Sequence, residues 1–357
     1  MWNRFNVLFA CTSATGVAGA FLFVLLVDPL GVSPVSIFPG LNVVYNNRRQ
    51  AMPQIIRSNR FDSFIIGTST TITIDPVRAE AAFGGKFANV AIYGATQYEQ
   101  SRVIDLVGRQ GPKMILLGLD ATWCSTEAPT RYHPWWPFPE WLYGDVSSQD
   151  LRRLLNWHMV RLAVSKLRLV LGVDLPVVLA NGFETQLPRD SDWTIEKARS
   201  RLYAGAQFAS GGSPNGDRRL APDVRSTEVS ASFPALSLLE ASIAQVPLST
   251  KVVILFMPIH VAALPSPGTG QYNQLEACKQ RGAGIGRRPN THVIDFMRRS
   301  AITEDDSHFW DSVHMRDAVA AVVVERTREA VARHEPASDG TYGYLGGSPA
   351  GSGSAGR

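Results

Sequence analysis

Phe61-Asp62-Ser63-Phe64-Ile65-Ile66-Gly67-Thr68-Ser69-Thr70-Thr71 decides how this chain is read. The apolar run Phe64-Ile65-Ile66 is bounded by polar residues on one side and by Gly67 on the other, the pattern of a parallel strand buried on both faces. Ser69 falls just beyond the end of that strand. Far downstream, Asp311-Ser312-Val313-His314 sets a carboxylate and an imidazole three residues apart. The three side chains are the parts of an activated serine nucleophile: the serine attacks, the histidine takes its proton, and the carboxylate holds the imidazole in the right tautomer. Plainer roles exist for each. Ser69 can cap a helix that follows a strand, and Asp311 or Ser312 can cap the last helix with His314 on the surface.

Further strands are predicted at Phe87–Ile92, Met114–Leu117, Val252–Met257 and His292–Phe296, and helices at Gln97–Arg109 and Arg316–Arg333. Strands alternating with helices give an α/β fold with a doubly wound parallel sheet. Ligands of such sheets sit beyond the carboxyl ends of the strands. Ser69, Gly94, Asp120 and His260 each fall just past a predicted strand, and His314 lies in the loop before the last helix. Asn89 reads as a loop-fixing residue, and His260 as a structural histidine or a substrate contact.

Residues 121–250 interrupt the rhythm and read as an inserted helical and aromatic lid. They open with Tyr132-His133-Pro134-Trp135-Trp136-Pro137-Phe138-Pro139-Glu140-Trp141-Leu142-Tyr143, whose Trp135, Trp136 and Trp141 can stack on sugar rings, lie at a membrane interface or pack as a plain lid. Helices are predicted at Gln149–Leu171 and 227–245, and a flexible loop at 207–219. The Gly/Ser-rich tail, 336–357, reads as disordered.

The N-terminus carries an uncharged apolar stretch, Phe5–Val27, long enough to cross a hydrocarbon core of about 30 Å. A single-pass anchor over 1–28 is the preferred reading, ahead of a cleaved signal peptide and a buried globular helix. Arg4 favours a cytoplasmic N-terminus, which puts the rest of the chain on the extracytoplasmic (periplasmic) side of the inner membrane. Residues 29–60 read as a juxtamembrane connector, with Asn46, Asn47, Arg48, Arg49 and Gln50 as a solvated polar run. The mild net charge of +4 carries no concentrated basic stripe, so nucleic acid is not an expected partner. Cys11, Cys124 and Cys278 show no metal-ligand spacing, so no metal is expected. Cys124 and Cys278 read either as a disulfide or as two separate buried thiols.

On these blocks the chain resembles the SGNH hydrolase superfamily (GDSL-like), in particular its membrane-anchored exported members linked to polysaccharide O-acetylation. Gly67-Thr68-Ser69 resembles the first block, Gly-Asp-Ser. Asn89-Val90-Ala91-Ile92-Tyr93-Gly94-Ala95-Thr96 resembles the second, Gly118-Leu119-Asp120 stands where the third, Gly-x-Asn-Asp, belongs, and Asp311–His314 matches the fifth, Asp-x-x-His. The resemblance spans 60–120 and 250–333. It implies a three-layer α/β/α flavodoxin-like parallel sheet over 61–335, with catalytic Ser69, Asp311 and His314 and oxyanion donors at the backbone of Ser69 and Gly94. The third block departs from the pattern. Asp120 replaces an asparagine whose side chain donates to the oxyanion, and an ionised carboxylate would repel that charge. Asp120 must therefore be protonated, turned away or otherwise employed, and the amide of Gln97 is a substitute donor.

The resulting expectation is a serine-dependent acyltransferase or esterase that moves an acetyl group onto or off an envelope polysaccharide. It needs no cofactor, and by family analogy its partner is a multi-pass membrane acyltransferase. The alternative is a non-catalytic glycan-binding or scaffold protein of an envelope export complex.

Overall fold

A computed structural model of the chain describes residues 2–38, 43–44, 47–187, 190–204 and 232–348. Six strands form one sheet: β1 (Ser63–Ile66), β2 (Phe87–Asn89), β3 (Met114–Leu119), β4 (Lys251–Phe256), β5 (Thr291–Asp295) and β6 (Gly343–Ser348). Their spatial order is β2-β1-β3-β4-β5-β6, with the first five parallel and β6 antiparallel to β5. The order 2-1-3-4-5 is that of a flavodoxin-like doubly wound sheet, whose switch point lies between β1 and β3.

Alternation along the strands sends side chains to two faces, and each face has its own core. Phe64, Ile66, Ile115, Leu117, Ile254 and Phe256 point to one side. They meet α4 (Gln97–Gly108), α7 (Pro234–Ala244) and α8 (Gly270–Ala283). Ile65, Leu116, Val253, Leu255 and Ile294 point to the other, against α3 (Pro76–Phe83) and α9 (Asp317–Arg333). The expected three layers are therefore present. The predicted second strand stops at Asn89, because Val90, Ala91 and Ile92 leave the ladder as a buried loop.

Three expectations are corrected. The described part of 29–60 is no solvated connector: α2 (Arg48–Arg57), capped by Asn47, buries Ala51, Met52, Ile55 and Ile56 in the core, and Arg48 and Arg49 with them. The helix expected over Gln149–Leu171 is a 3-10 turn, Asp150–Leu154, followed by α5 (Trp157–Val170), which starts afresh at the cap Asn156. The tail is ordered through 348: Tyr342 is buried and β6 covers the edge of β5, satisfying backbone groups that an open edge would leave unpaired. Residues 349–357 lie outside the described residues.

The insertion is also smaller than its sequence suggested. Helix α7 packs on α4 as an ordinary crossover helix between β3 and β4, so the departure from the sheet rhythm spans 121–233. Within it α6 (Ile195–Leu202) buries Ala198 and Leu202 against the α9 side. The expected loop at 207–219 and the first residues of the helix expected at 227–245 lie outside the described residues. Cys124 and Cys278 are joined by a disulfide that ties the start of the insertion to α8. Helix α1 (Trp2–Val27) is long and apolar enough to cross a membrane.

Candidate active site

Ser69 stands where the chain turns out of β1 at the switch point. Gly67 makes the turn possible: its φ is +158°, and a Cβ there would lie 2.6 Å from the Thr71 hydroxyl and 3.0 Å from the carbonyl oxygen of Gly118. Ser69–Thr71 then form one 3-10 turn, closed by Thr71 N–H on the carbonyl of Thr68 at 3.1 Å.

The second motif arrives at the same place. His314 Nε2 lies 2.9 Å from Ser69 Oγ. Its Nδ1 lies 2.8 and 2.9 Å from the two oxygens of Asp311. A carboxylate can only accept, so the Nδ1 proton points at Asp311 and Nε2 is left to accept the Ser69 hydroxyl. Asp311 is itself held by the N–H groups of Val313 and His314 at 2.9 and 3.0 Å. Burial opposes its charge, but the bond and charge of His314 and these two N–H groups outweigh it and hold the carboxyl below its ordinary range. The loop is pinned at its base by a bridge between Phe309 and Met315, with Trp310 N–H donating to the His314 carbonyl at 2.8 Å. Helix α9 begins only at Asp317, with Arg316 as its N-cap, so neither Asp311 nor Ser312 caps it.

Asn89 ties the two loops beside the serine together. Its buried amide donates to the carbonyls of Thr71 and Ile74 at 2.9 and 3.0 Å and its oxygen accepts from Ala91 N–H, the loop-fixing role read from the sequence. Gly94 follows with φ +54°, and a Cβ there would lie 3.0 Å from the Trp136 ring. Among the described residues, neither the Ser69 nor the Gly94 backbone N–H donates to a protein acceptor.

Asp120 and Gln97 are employed elsewhere. One oxygen of Asp120 accepts from the Thr68 hydroxyl at 3.0 Å, and the other accepts from the N–H and hydroxyl of Thr122. The Gln97 amide donates to that same Thr122 hydroxyl at 2.6 Å. The chain Gln97–Thr122–Asp120–Thr68 braces the residue before Ser69 instead of presenting a third donor.

Two arginines clamp the Gly94 loop from behind, and sequence reading missed both. Arg48 donates to the carbonyls of Asn89, Ala91 and Gly182 and to the carboxylate of Glu184. Arg49 donates to the carbonyls of Tyr93 and Gly94 at 3.0 and 3.2 Å and pairs with buried Glu99 at 2.6 Å. Glu99 closes a capping box with Thr96 at the start of α4 and accepts from His133 N–H. Nothing in a polar Asn-Asn-Arg-Arg-Gln run distinguishes a clamp from a solvated surface; only the apolar spacing of Ala51, Met52, Ile55 and Ile56 behind it hinted at a buried helix.

A cleft of about 540 Å³ opens on Ser69 and His314. Its aromatic walls are Tyr93, Trp193 and Trp310, with Lys197 and Arg201 of α6 at its side. Trp193 is locked by its indole N–H on the Phe309 carbonyl at 2.9 Å and by the Arg316 guanidinium 4.2 Å above its ring. The tryptophans expected at the substrate do not line this cleft. Trp136 stacks on His133 behind Gly94, Trp141 lies under Arg153, and Trp135 projects into solvent. His260 is wholly buried, accepts from Ala262 N–H through Nδ1 and faces Asp306 at 3.1 Å through Nε2. It is a structural histidine, and its backbone N–H supports the Asp311–His314 loop at the Ser312 carbonyl.

The arrangement can activate a hydroxyl nucleophile at a cleft with aromatic residues in its walls. No family model, curated protein or solved structure matches this chain.

Proposed function

We propose that this chain is a membrane-tethered serine acyl-transfer enzyme of the SGNH type, acting outside the cytoplasm on acetyl groups of an envelope polysaccharide. The observation that carries the reading is the 2.9 Å approach of Ser69 Oγ to His314 Nε2, across 245 residues of chain, with Asp311 behind the ring. Chance caps and surface histidines do not converge in this order.

Ser69 Oγ attacks the acetyl carbonyl while His314 Nε2 takes its proton, and Asp311 stabilises the imidazolium. The oxyanion that forms is received by the unengaged N–H groups of Ser69 and Gly94. His314 returns the proton to the departing oxygen, leaving an acetyl ester on Ser69. It then deprotonates the acceptor, either a sugar hydroxyl or water, which releases the acetyl group and restores the serine. Trp193 and Trp310 suit the stacking of a sugar ring beside the nucleophile. The disulfide between Cys124 and Cys278 belongs to an oxidising compartment, which favours the extracytoplasmic side. A multi-pass membrane acyltransferase would supply the acetyl donor from the other side.

The test uses the full chain in detergent with 4-nitrophenyl acetate and a fluorophosphonate probe. The wild type turns over the ester and is labelled at Ser69, whereas Ser69→Ala does neither. Equal turnover by both proteins, or a wild type that is never labelled, would transfer the chain to the non-catalytic reading.

A further inference from the structure

Much of the exposed apolar surface gathers where α1 enters the body. Every residue from Trp2 to Gly19 is exposed, a run of about 27 Å at 1.5 Å per residue. That is close to the hydrocarbon thickness of a bilayer, about 30 Å. Burial then begins at once. Val24, Val27 and Leu30 enter the core, Lys166 of α5 donates to the Asp28 carbonyl at 2.6 Å, and Ile37 N–H donates to the Leu26 carbonyl at 2.9 Å. No free linker separates the span from the body. Helix α5 packs on the part of α1 that would emerge from the hydrocarbon.

The outward face of α5 is unlike that of an ordinary surface helix. Met159, Leu162, Ala163 and Lys166 face inward. On the opposite side Trp157, Val164 and Leu171 recur every seven residues and are 72%, 45% and 67% exposed. Arg161 and Arg168 fall between them on the same stripe. Arg168 pairs with Asp174, whereas Arg161 has no ion pair among the described residues. Val35 and Ile37 extend the exposed apolar surface beside the last turn of α1, and Val173 and Leu175 extend it beyond α5.

We infer that this collar is a second membrane contact, in which the outer face of α5 and the Val35–Ile37 turn seat the body in the headgroup region around the emerging helix. The inference rests on reading α1 as a membrane span. Three features select lipid as the occupant. The surface adjoins the base of α1, the helix that carries it packs on α1 where the exposed run of α1 gives way to burial, and it alternates apolar side chains with arginines. Tryptophan and aliphatic groups enter the boundary between headgroup and acyl chain, and the arginine stems lie along it with their guanidinium groups at the phosphates. Seating of this kind fixes the orientation of the body relative to the bilayer.

The experiment places a bimane label at single cysteines of the full chain in vesicles of phosphatidylethanolamine and phosphatidylglycerol, leaving the disulfide intact. A Cys11→Ser background carries Trp157→Cys, Leu171→Cys or, as an aqueous control on α9, Val322→Cys; native Cys11 is labelled separately. The expected result is loss of most quenching by a water-soluble quencher, with a gain in quenching by nitroxide lipids, at position 157 or 171 and not at 322. If 157 and 171 are quenched from water as readily as 322 while Cys11 is shielded, the collar is overturned and the span stands. Shielding of 157 and 171 only in native membranes assigns the face to a protein and likewise overturns the lipid contact. A Cys11 label open to water removes the span and the collar with it.

Discussion

Arg49 donates to the carbonyl oxygen of Tyr93 at 3.0 Å, and that carbonyl shares one rigid peptide plane with the N–H of Gly94. The guanidinium therefore holds the far end of the peptide dipole whose near end, in the proposed mechanism, would face the developing oxyanion. Arg49→Met leaves Glu99 buried without its partner, a loss on the order of 3–5 kcal/mol. It also frees the Gly94 peptide to rotate. Urea unfolding should show the first effect. A fall in kcat for 4-nitrophenyl acetate larger than any rise in KM should show the second, with Arg49→Lys recovering part of both.

Asp311 accepts from His314 Nδ1 through both oxygens, and in the proposed mechanism it orients the ring. Asp311→Asn offers the ring an amide in place of two accepting oxygens, which favours the wrong tautomer. Acetyl-ester turnover should fall by roughly three to four orders of magnitude, while thermal unfolding near neutral pH changes little by comparison. Because the Asp311 carboxyl is held below its ordinary range, its stabilising contribution is complete above the unfolded value and disappears as pH falls through the folded one. The stability gap between wild type and Asp311→Asn should therefore narrow on acidification below about pH 4.

His292 supplies a second pH dependence, located in the sheet. Burial, with His334 and Lys251 nearby, pushes its imidazole down to about 4. The unfolded chain binds a proton there near pH 6.5 and the folded chain does not, so stability is full above that value and declines as pH falls toward about 4. The decline amounts to at most roughly 3 kcal/mol, less to the extent that water screens the ring. His292→Phe should flatten the acid limb of a stability profile between those values. An unchanged slope would show that His292 is not the group responsible.

The bond between Cys124 and Cys278 closes a loop of 154 residues, so it restricts the unfolded chain strongly. Cys278→Ser should lower stability by about 2–5 kcal/mol. Wild type produced in a reducing cytoplasm should show the same loss, and oxidation of that material should restore it.

Truncation after His334 tests the ordered tail. It removes buried Tyr342 and strips β6 from β5, leaving an open edge. Lower melting temperature and concentration-dependent aggregation are expected by calorimetry and light scattering.

The sequence by itself determined the parallel strands, because Phe64–Ile66, Met114–Leu117 and Val252–Met257 are continuous apolar runs too short for helices and separated by helical spacing, the pattern of strands buried on both faces. It also determined the two motifs that meet at Ser69, because a short strand end and a tight Asp-x-x-His turn are local features. Only the tertiary structure decided which polar residues serve that site. Arg48 and Arg49 look like surface charge until the loop carbonyls they bind are in place, and Trp193 and Trp310, not Trp135, Trp136 and Trp141, wall the cleft. Apolar periodicity is written into neighbouring residues, whereas a hydrogen bond between residues 49 and 93 or 69 and 314 exists only after the chain has closed on itself.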